Sequence, residues 1–485
     1  MSNSVAKNSF FNVAYQLLNV LFPLVTTTYV ARVILADGVG EVAYARNIVG
    51  YFVCLAALGL PNYGTREIAK VRTDVTQTNR IFSELISLNF ISTLLFSVSY
   101  FCLILSIPSF RDNFSLHLVL GVTLLFKFID VEWFYKGTED FAYIAIRSFI
   151  VKILTLVWIF AFVRTKNDIL MYAAATVIGI GANNLFNIFH LRHYGVKYTF
   201  KGISLKRHVK PVMMLFASVI AIELYTMLDI TMVGSICGDV AVGLYSNAVK
   251  IIRILIGVVA GIAGTLLPRL SYYYKNNEID ECSKLISNVL MVMIFLYVPC
   301  QFFFFLESDS LMVLLFGESF RSGGTTLKIV SLLITALGFS NLFGTQILLT
   351  FGQEKKLLLC TIVAAILNVS LNIILIPIFA QNGAAVASVI AESVVTIMTI
   401  SYSRKYISIC LPNRFIVSTI IASAVFVADL FVIHHFLHSQ WIPVFLSLVV
   451  GGLSYLFCNI ILRNPIMIAV KEILEKFKKK LVRDA

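Results

Sequence analysis

Charged residues are scarce in this chain: they make up 13% of its 485 residues, whereas 59% are hydrophobic. A soluble protein of this size carries about 25% charged residues and roughly half apolar ones. With a mean hydropathy of +0.87, the apolar side chains are too many to be buried in a few globular cores. Lipid must be their solvent. The sequence therefore predicts an all-α, polytopic membrane protein, because helices satisfy their own backbone hydrogen bonds inside a bilayer.

Signatures of chemistry are missing as well. The eight cysteines are scattered without metal-ligand spacing, and no P-loop or HExxH motif occurs. Gly38-x-Gly40-x-x-Ala43 imitates a dinucleotide fingerprint, but no βαβ unit surrounds it and it is predicted to lie in a short outward loop. Lys and Arg outnumber Asp and Glu by 39 to 26, yet they lie in short loops rather than on a soluble basic face. We expect no catalysis, cofactor, metal or nucleic-acid partner.

Apolar runs dominate what is present. A spanning helix needs roughly 20 mostly apolar residues, and this rule gives about 14 transmembrane helices. They cover residues 9–35, 42–62, 81–107, 115–135, 141–163, 168–191, 211–235, 242–267, 284–306, 326–350, 357–379, 383–403, 414–436 and 440–462. With both termini in the cytoplasm, 27 Lys and Arg fall in inward loops and 5 in outward loops, an asymmetry that the positive-inside rule favours.

The spans are predicted to form two related halves. Residues 192–210 contain six Lys and Arg and no acid, and are predicted to be a cytoplasmic linker between six-helix bundles at 1–191 and 211–403. Residues 404–485 would add two extra transmembrane helices and a basic cytoplasmic tail. Transporters are often built from such repeated halves, with the substrate path at their interface.

Ionisable residues inside the spans are the candidate site, because a charge at mid-bilayer costs about 3 kcal/mol or more unless it faces protein or water. Four deep cations, Lys127, Lys152, Lys250 and Arg253, predict a water-filled cationic cavity between the halves. Such a cavity suits a pyrophosphate or an acidic sugar. An alternative is internal ion pairing, with Asp130 neutralising Lys127 and Glu223 neutralising Arg253. A third interpretation makes carboxylates couple transport to protons or sodium; the candidates are Asp130, Glu223, Asp229 and Glu392.

Two further patterns concern helix ends and helix packing. Trp133-Phe134-Tyr135 and Tyr272-Tyr273-Tyr274 are predicted to lie in an aromatic interface belt. Gly257-x-x-x-Gly261 is predicted to permit a close approach of two helices.

Six segments, from the first predicted span to the twelfth, resemble one family. They include FIDVEWFYKGTEDFAYIAIRS (128–148) and NVSLNIILIPIFAQNGAAVASVIAE (368–392), and the others are residues 26–70, 223–234, 245–271 and 344–356. Together they resemble the Wzx-type polysaccharide repeat-unit flippases of the multidrug/oligosaccharidyl-lipid/polysaccharide exporter superfamily. The resemblance implies two six-helix bundles that enclose a cavity and work by alternating access.

The resemblance also implies a substrate. It would be an undecaprenyl-pyrophosphate-linked oligosaccharide, moved from the cytoplasmic to the periplasmic leaflet of a bacterial inner membrane for O-antigen or other surface polysaccharide. The cations expected to contact it are Lys127, Arg147, Lys152, Lys250 and Arg253, together with Arg32 and Arg46, which could instead extend to an interface. Expected partners are membrane lipids, a polysaccharide polymerase and chain-length machinery. The alternative is a drug or cation antiporter of the same superfamily, which would need a cavity dominated by carboxylates.

Overall fold

Every regular element is a helix in the residues that the computed structural model describes, which are 2–199, 202–264, 267–437, 441–472 and 475. The predicted all-α membrane fold is confirmed. The helices form two compact units, Met1–Ser246 and Asn247–Ala485. The first unit contains α1 Ser2–Ala57, α2 Leu60–Val71, α3 Val75–Ser106, α4 Pro108–Asp112, α5 Phe114–Leu125, α6 Glu132–Gly137, α7 Phe141–Phe162, α8 Ile169–His190, α9 Lys206–Cys237 and the start of α10 Asp239–Gly264.

The second unit begins within α10. Its other helices are α11 Leu267–Lys275, α12 Ile279–Leu306, α13 Ser308–Phe316, α14 Gly324–Val330, α15 Leu333–Ser340, α16 Glu354–Phe379, α17 Gln381–Ser403, α18 Asn413–Phe436, α19 Ile442–Leu446 and α20 Gly452–Ile461.

The predicted number of about 14 spans is not confirmed. In the described ranges, ten helices are long and apolar enough to cross a membrane, or eleven if the bent pair Glu318–Val330 and Leu333–Leu348 counts as one span. The first two predicted spans are joined in α1, which is interrupted only at Leu35, where φ is 63°. The span predicted at 115–135 corresponds to the shorter apolar helix Phe114–Ile129, whereas the span predicted at 211–235 lies within the long helix α9.

In the first unit, α1 and α10 approach each other too closely for side chains to lie between them. A Cβ atom on Gly40 would lie 1.7 Å from the carbonyl oxygen of Asp239, and one on Gly243 would lie 2.0 Å from that of Ala36. Small residues permit such crossings in membranes, where helix association depends on close packing. The predicted outward loop at Gly40 is therefore wrong: the residue belongs to a helix crossing.

Polar side chains hold α1 against α9 beside this crossing. The Asn47 amide donates to the Met227 carbonyl at 3.0 Å and to Thr231 Oγ1 at 2.8 Å. The hydroxyl of Tyr51 also lies 2.8 Å from Thr231 Oγ1. Hydrogen bonds of this kind stabilise helix pairs in lipid, where no water competes for the donors.

The basic stretch 192–210 is tied to α3 through a buried carboxylate. Glu84 is 0% exposed, and its Oε1 accepts from the backbone N–H of Ser204 at 2.8 Å. Its Oε2 lies 2.8 Å from His208 Nε2 and pairs with the guanidinium of Arg207. This stretch lies inside the first unit, and the bundle boundaries predicted around it stay predictions.

In the second unit, the helices near the C-terminus are fastened to α12. Glu307, which directly follows α12, is fully buried. Its Oε1 lies 2.7 Å from His434 Nε2 on α18 and accepts from Ser447 Oγ at 2.8 Å. The Tyr455 hydroxyl on α20 donates to the carbonyl of Phe295 at 2.9 Å. The predicted basic tail lies largely outside the described residues.

The close crossing of α1 and α10 predicts that one added methyl group at Gly40 lowers the stability of the protein. Gly40→Ala would place a Cβ atom inside the backbone of α10 and force the helices apart, at a cost of about 1–3 kcal/mol or more. We expect a lower midpoint in a thermal unfolding assay on the detergent-purified protein. Gly257→Ala is the control, because a Cβ atom there would meet no described atom within 4 Å. The close approach predicted for Gly257 and Gly261 stays a prediction, since the side-chain surroundings of Gly261 lie outside the described residues. Equal midpoints for the two variants would contradict the crossing.

Candidate substrate cavity

A polar cavity of about 490 Å³ lies within the first unit. It is lined by side chains from α1, α2 and α5, from the segment between α5 and α6, and from α6, α7 and α8. The polar residues of its lining are Thr123, Lys127, Asp130, Glu132, Lys136, Arg147, Ser148, Lys152, Asn183 and Asn184. The structure therefore brings four of the predicted site residues together at one cavity.

The first ion pair forms where a helix breaks. After α5 the chain makes a short 3₁₀ turn, Phe126–Ile129, and then becomes extended at Asp130. Lys127 Nζ lies 2.5 Å from Asp130 Oδ2. The carbonyls that the break releases find new donors: the Asn89 amide donates to that of Lys127 at 2.8 Å, and Trp133 Nε1 to that of Asp130 at 3.0 Å. The predicted internal pairing of Lys127 with Asp130 is thus confirmed.

The second cluster is a carboxylate held between two cations. Arg147 on α7 is 4% exposed, and its Nη2 donates to Glu132 Oε2 at 2.7 Å. The other oxygen of Glu132 lies 2.9 Å from Lys136 Nζ, one turn along α6. Arg147 Nη1 also donates to the amide oxygen of Asn187 on α8. Because the guanidinium is buried, these acceptors keep its charge compensated.

Lys152 adds a further cation on the same helix as Arg147. Its Nζ lies 5.6 Å from the ring centroid of Phe22, within cation–π range. Among the described lining residues, four cations therefore accompany two carboxylates.

The other predicted site residues lie elsewhere. Arg32 and Arg46 are exposed on α1. Asp229 on α9 is buried and accepts a hydrogen bond of 2.6 Å from Tyr245. Lys250 and Arg253 on α10 and Glu392 on α17 belong to the second unit, while Glu223 lies on α9 in the first. Their predicted roles stay predictions.

Two protein-family models match this chain. The family model described as polysaccharide biosynthesis protein matches residues 5–274. The chain belongs to this family. A second model, that of the lipid II flippase MurJ, matches residues 141–459. The predicted resemblance to Wzx-type flippases is confirmed.

Individual relatives and solved structures are similar to this chain over most of its length. A candidate O-antigen transporter of Escherichia coli (strain K12) is 24% identical over 407 residues, covering 83% of this chain and 97% of the relative. The solved lipid II flippase MurJ, in an inward closed conformation, matches with a TM-score of 0.78 at 16% identity, over 94% of this chain and 99% of that one. An inward-facing multidrug transporter of the MATE family matches with a TM-score of 0.66 at 15% identity, over 82% and 97%. These structures establish the fold.

Sequence reasoning on this family member missed part of the cavity. In the sequence, Glu132 is one acid within the span predicted at 115–135, and Lys136 is a cation in the loop after it. Neither was predicted to line the cavity. Asn183 and Asn184 received no role, although two adjacent asparagines in an otherwise apolar helix are a usable signal of a polar lining. Asn184 also donates to the carbonyl of Phe126 at 3.0 Å, at the break that follows α5.

The aromatic belt predicted at Trp133-Phe134-Tyr135 is wrong. The three side chains are 3%, 1% and 0% exposed, and they belong to a core cluster with residues of α2, α3 and α7. In contrast, Tyr272 and Tyr274 are 62% and 40% exposed. A helix end therefore does not by itself place an aromatic residue at the interface.

A second cavity, of about 680 Å³, lies in the second unit between α12 and α18. Its lining is apolar apart from Thr419 and Ser423. Such a lining offers little to a charged headgroup.

The buried cluster predicts a large cost for removing one partner. Arg147→Met would leave Glu132 paired with Lys136 alone and Asn187 without its donor, so we expect a loss of about 1–3 kcal/mol in stability. Thermal unfolding of the purified protein measures the effect. Arg321→Met is the matched control, because the pair of Arg321 with Glu318 is exposed and such pairs contribute little. An unchanged midpoint for Arg147→Met would contradict the ion-pair cluster.

Proposed function

We propose that the protein is a flippase that moves undecaprenyl-pyrophosphate-linked oligosaccharide repeat units from the cytoplasmic to the periplasmic leaflet, for O-antigen or another surface polysaccharide. It would work by alternating access in a bacterial inner membrane, with both termini in the cytoplasm. The family membership and the candidate O-antigen transporter among its relatives support a lipid-linked polysaccharide substrate.

The observation that carries the proposal is the excess of cations in the cavity of the first unit. Arg147, Lys127, Lys136 and Lys152 line it against two carboxylates. Guanidinium and ammonium groups are the usual partners of phosphate oxygens, Arg through paired N–H donors and Lys as a compact charge. A pyrophosphate carries several such oxygens, so it would meet both kinds of donor here.

Translocation of this kind needs no covalent chemistry. The protein has to lower the cost of moving a charged, hydroxyl-rich headgroup through lipid, and a polar cavity does so by replacing water with protein donors and acceptors. Ser148, Asn183 and Asn184 at the cavity would suit sugar hydroxyls, which both donate and accept. Asp130, Glu223, Asp229 and Glu392 remain candidates for ion coupling.

The alternative is a drug or cation antiporter, and the fold shared with a MATE-family transporter favours it. A cationic drug would need carboxylates that are available to it. In this cavity Asp130 and Glu132 are each bound to a cation within 3 Å. The charge balance therefore favours the anionic substrate, and active extrusion of a cationic dye by cells that express the protein would support the antiporter.

Lys152 provides the direct test of the flippase. Lys152→Ala should slow flipping of an undecaprenyl-pyrophosphate-linked saccharide in proteoliposomes roughly tenfold to a hundredfold, because a hydrogen bond to a charged group contributes about 1.5–3 kcal/mol. The measurement follows substrate that becomes accessible to an enzyme added outside the vesicles.

Lys284→Ala is the matched control, since Lys284 is largely exposed at the start of α12 and pairs with Glu281. Flipping at the wild-type rate by Lys152→Ala, at equal amounts of reconstituted protein, would remove the cavity from the mechanism. A wild-type protein that flips no such lipid would refute the proposed function.

A further inference from the structure

Glu132 occupies the position that a substrate anion would take. It lies at the start of α6, and each of its carboxylate oxygens faces a different cation: Oε2 lies 2.7 Å from Arg147 Nη2 and Oε1 lies 2.9 Å from Lys136 Nζ. All three residues line the cavity. One bidentate anion thus already bridges two of the cations to which a phosphate would bind.

The burial of Arg147 explains why an anion is needed there at all times. Its side chain is 3% exposed, whereas that of Glu132 is 24% exposed. A buried guanidinium without a counter-ion is strongly unfavourable, so a cavity that holds no substrate requires a carboxylate in this place. Glu132 is the more accessible partner, and it lies on the short helix α6 rather than on a long span. It is therefore the partner that can move.

The pairing leaves donors unused. Arg147 Nε and the Asn187 amide nitrogen are buried and have no hydrogen-bond partner among the described residues. A carboxylate has two oxygens, and both are engaged by Nη2 of Arg147 and by Lys136. A diphosphate offers more acceptors than a carboxylate, so exchange of one for the other can satisfy donors that Glu132 leaves unpaired.

We propose that Glu132 is an internal counter-ion that the diphosphate of the substrate displaces from Arg147 and Lys136. This inference rests on the proposed function, and it deepens that function by assigning a positioning residue. Glu132 holds the two cations in place and compensates their charge when the cavity is empty. Entry of the diphosphate releases the carboxylate, and departure of the diphosphate restores the pair.

If the diphosphate displaces Glu132, removal of the Glu132 charge should tighten the binding of an anion. Glu132→Gln keeps the shape of the side chain and removes its charge, so the purified full-length variant should bind inorganic pyrophosphate roughly tenfold more tightly than the wild type, or about 1.4 kcal/mol. Titration calorimetry measures the dissociation constants. In proteoliposomes the same variant should show a lower KM and a lower turnover rate for the lipid-linked substrate, because the cations no longer recover their own counter-ion.

Glu67→Gln is the matched control. Glu67 also lies between two cations, 2.8 Å from Lys70 Nζ and 3.4 Å from Arg66 Nε, but it belongs to α2 and does not line the cavity. This variant should bind pyrophosphate as the wild type does. A variant that has merely lost structure would bind the anion more weakly, so a gain in affinity distinguishes displacement from damage.

The outcomes separate this inference from the function on which it rests. Unchanged or weaker binding by Glu132→Gln overturns the counter-ion, even if the wild-type protein flips the lipid. An equal gain in affinity by Glu67→Gln also overturns it, because the effect would then reflect net charge alone. No pyrophosphate binding by either the wild type or Glu132→Gln overturns it as well, while wild-type flipping decides separately whether the protein is a flippase.

Discussion

An ionised group at the depth of a bilayer has to be balanced by protein or by water, and this requirement organises the polar parts of the molecule. Asp130 balances Lys127 where α5 breaks, and Glu132 balances Arg147 across α6 and α7. Glu84 on α3 balances Arg207 at the start of α9. The pairs of Glu132 and Glu84 each join two helices, and the pair of Lys127 and Asp130 stabilises the turn after α5. Charge balance therefore also fixes the short, irregular segments that lie among the long helices.

Lipid removes the hydrophobic driving force between helices, so the helices need other reasons to stay together. In the first unit these reasons are backbone contact at Gly40 and Gly243 and side-chain hydrogen bonds from Asn47 to α9. Both devices need small or polar residues at positions that would otherwise be apolar. A polar residue has the same role in the second unit, where the carboxylate of Glu307, directly after α12, is hydrogen-bonded to His434 on α18 and to Ser447. Polar residues in the spans thus hold the helices together.

The sequence predicts the fold class because hydropathy reports the surrounding solvent directly. It also predicts that Lys127 and Lys152 line a cavity, because charges are rare in spans. It assigns Lys250 and Arg253 to the same cavity, however, and neither is among the lining residues of the cavity in the first unit. Hydropathy also ends the first predicted span at residue 35, where the backbone of α1 departs from helical angles. It cannot tell a buried aromatic cluster from an interface belt, because both place aromatic residues at helix ends. The sequence also does not predict the ion pair of Glu132 with Arg147, because this pair depends on how α6 and α7 pack against each other.

A transporter has to release what it binds, and this condition gives the carboxylates of the cavity a purpose beyond balance. A site made of cations alone would hold a diphosphate tightly on both sides of the membrane. Binding that is favourable enough for entry and weak enough for exit is the general condition for passage through a pore. If an incoming anion has to displace Glu132 from Arg147, part of the attraction is spent on breaking an existing ion pair, and the same pair re-forms when the anion leaves. The ion pairs in this cavity would then keep the affinity for the substrate low enough for turnover. The excess of cations would make the cavity select anions rather than cations.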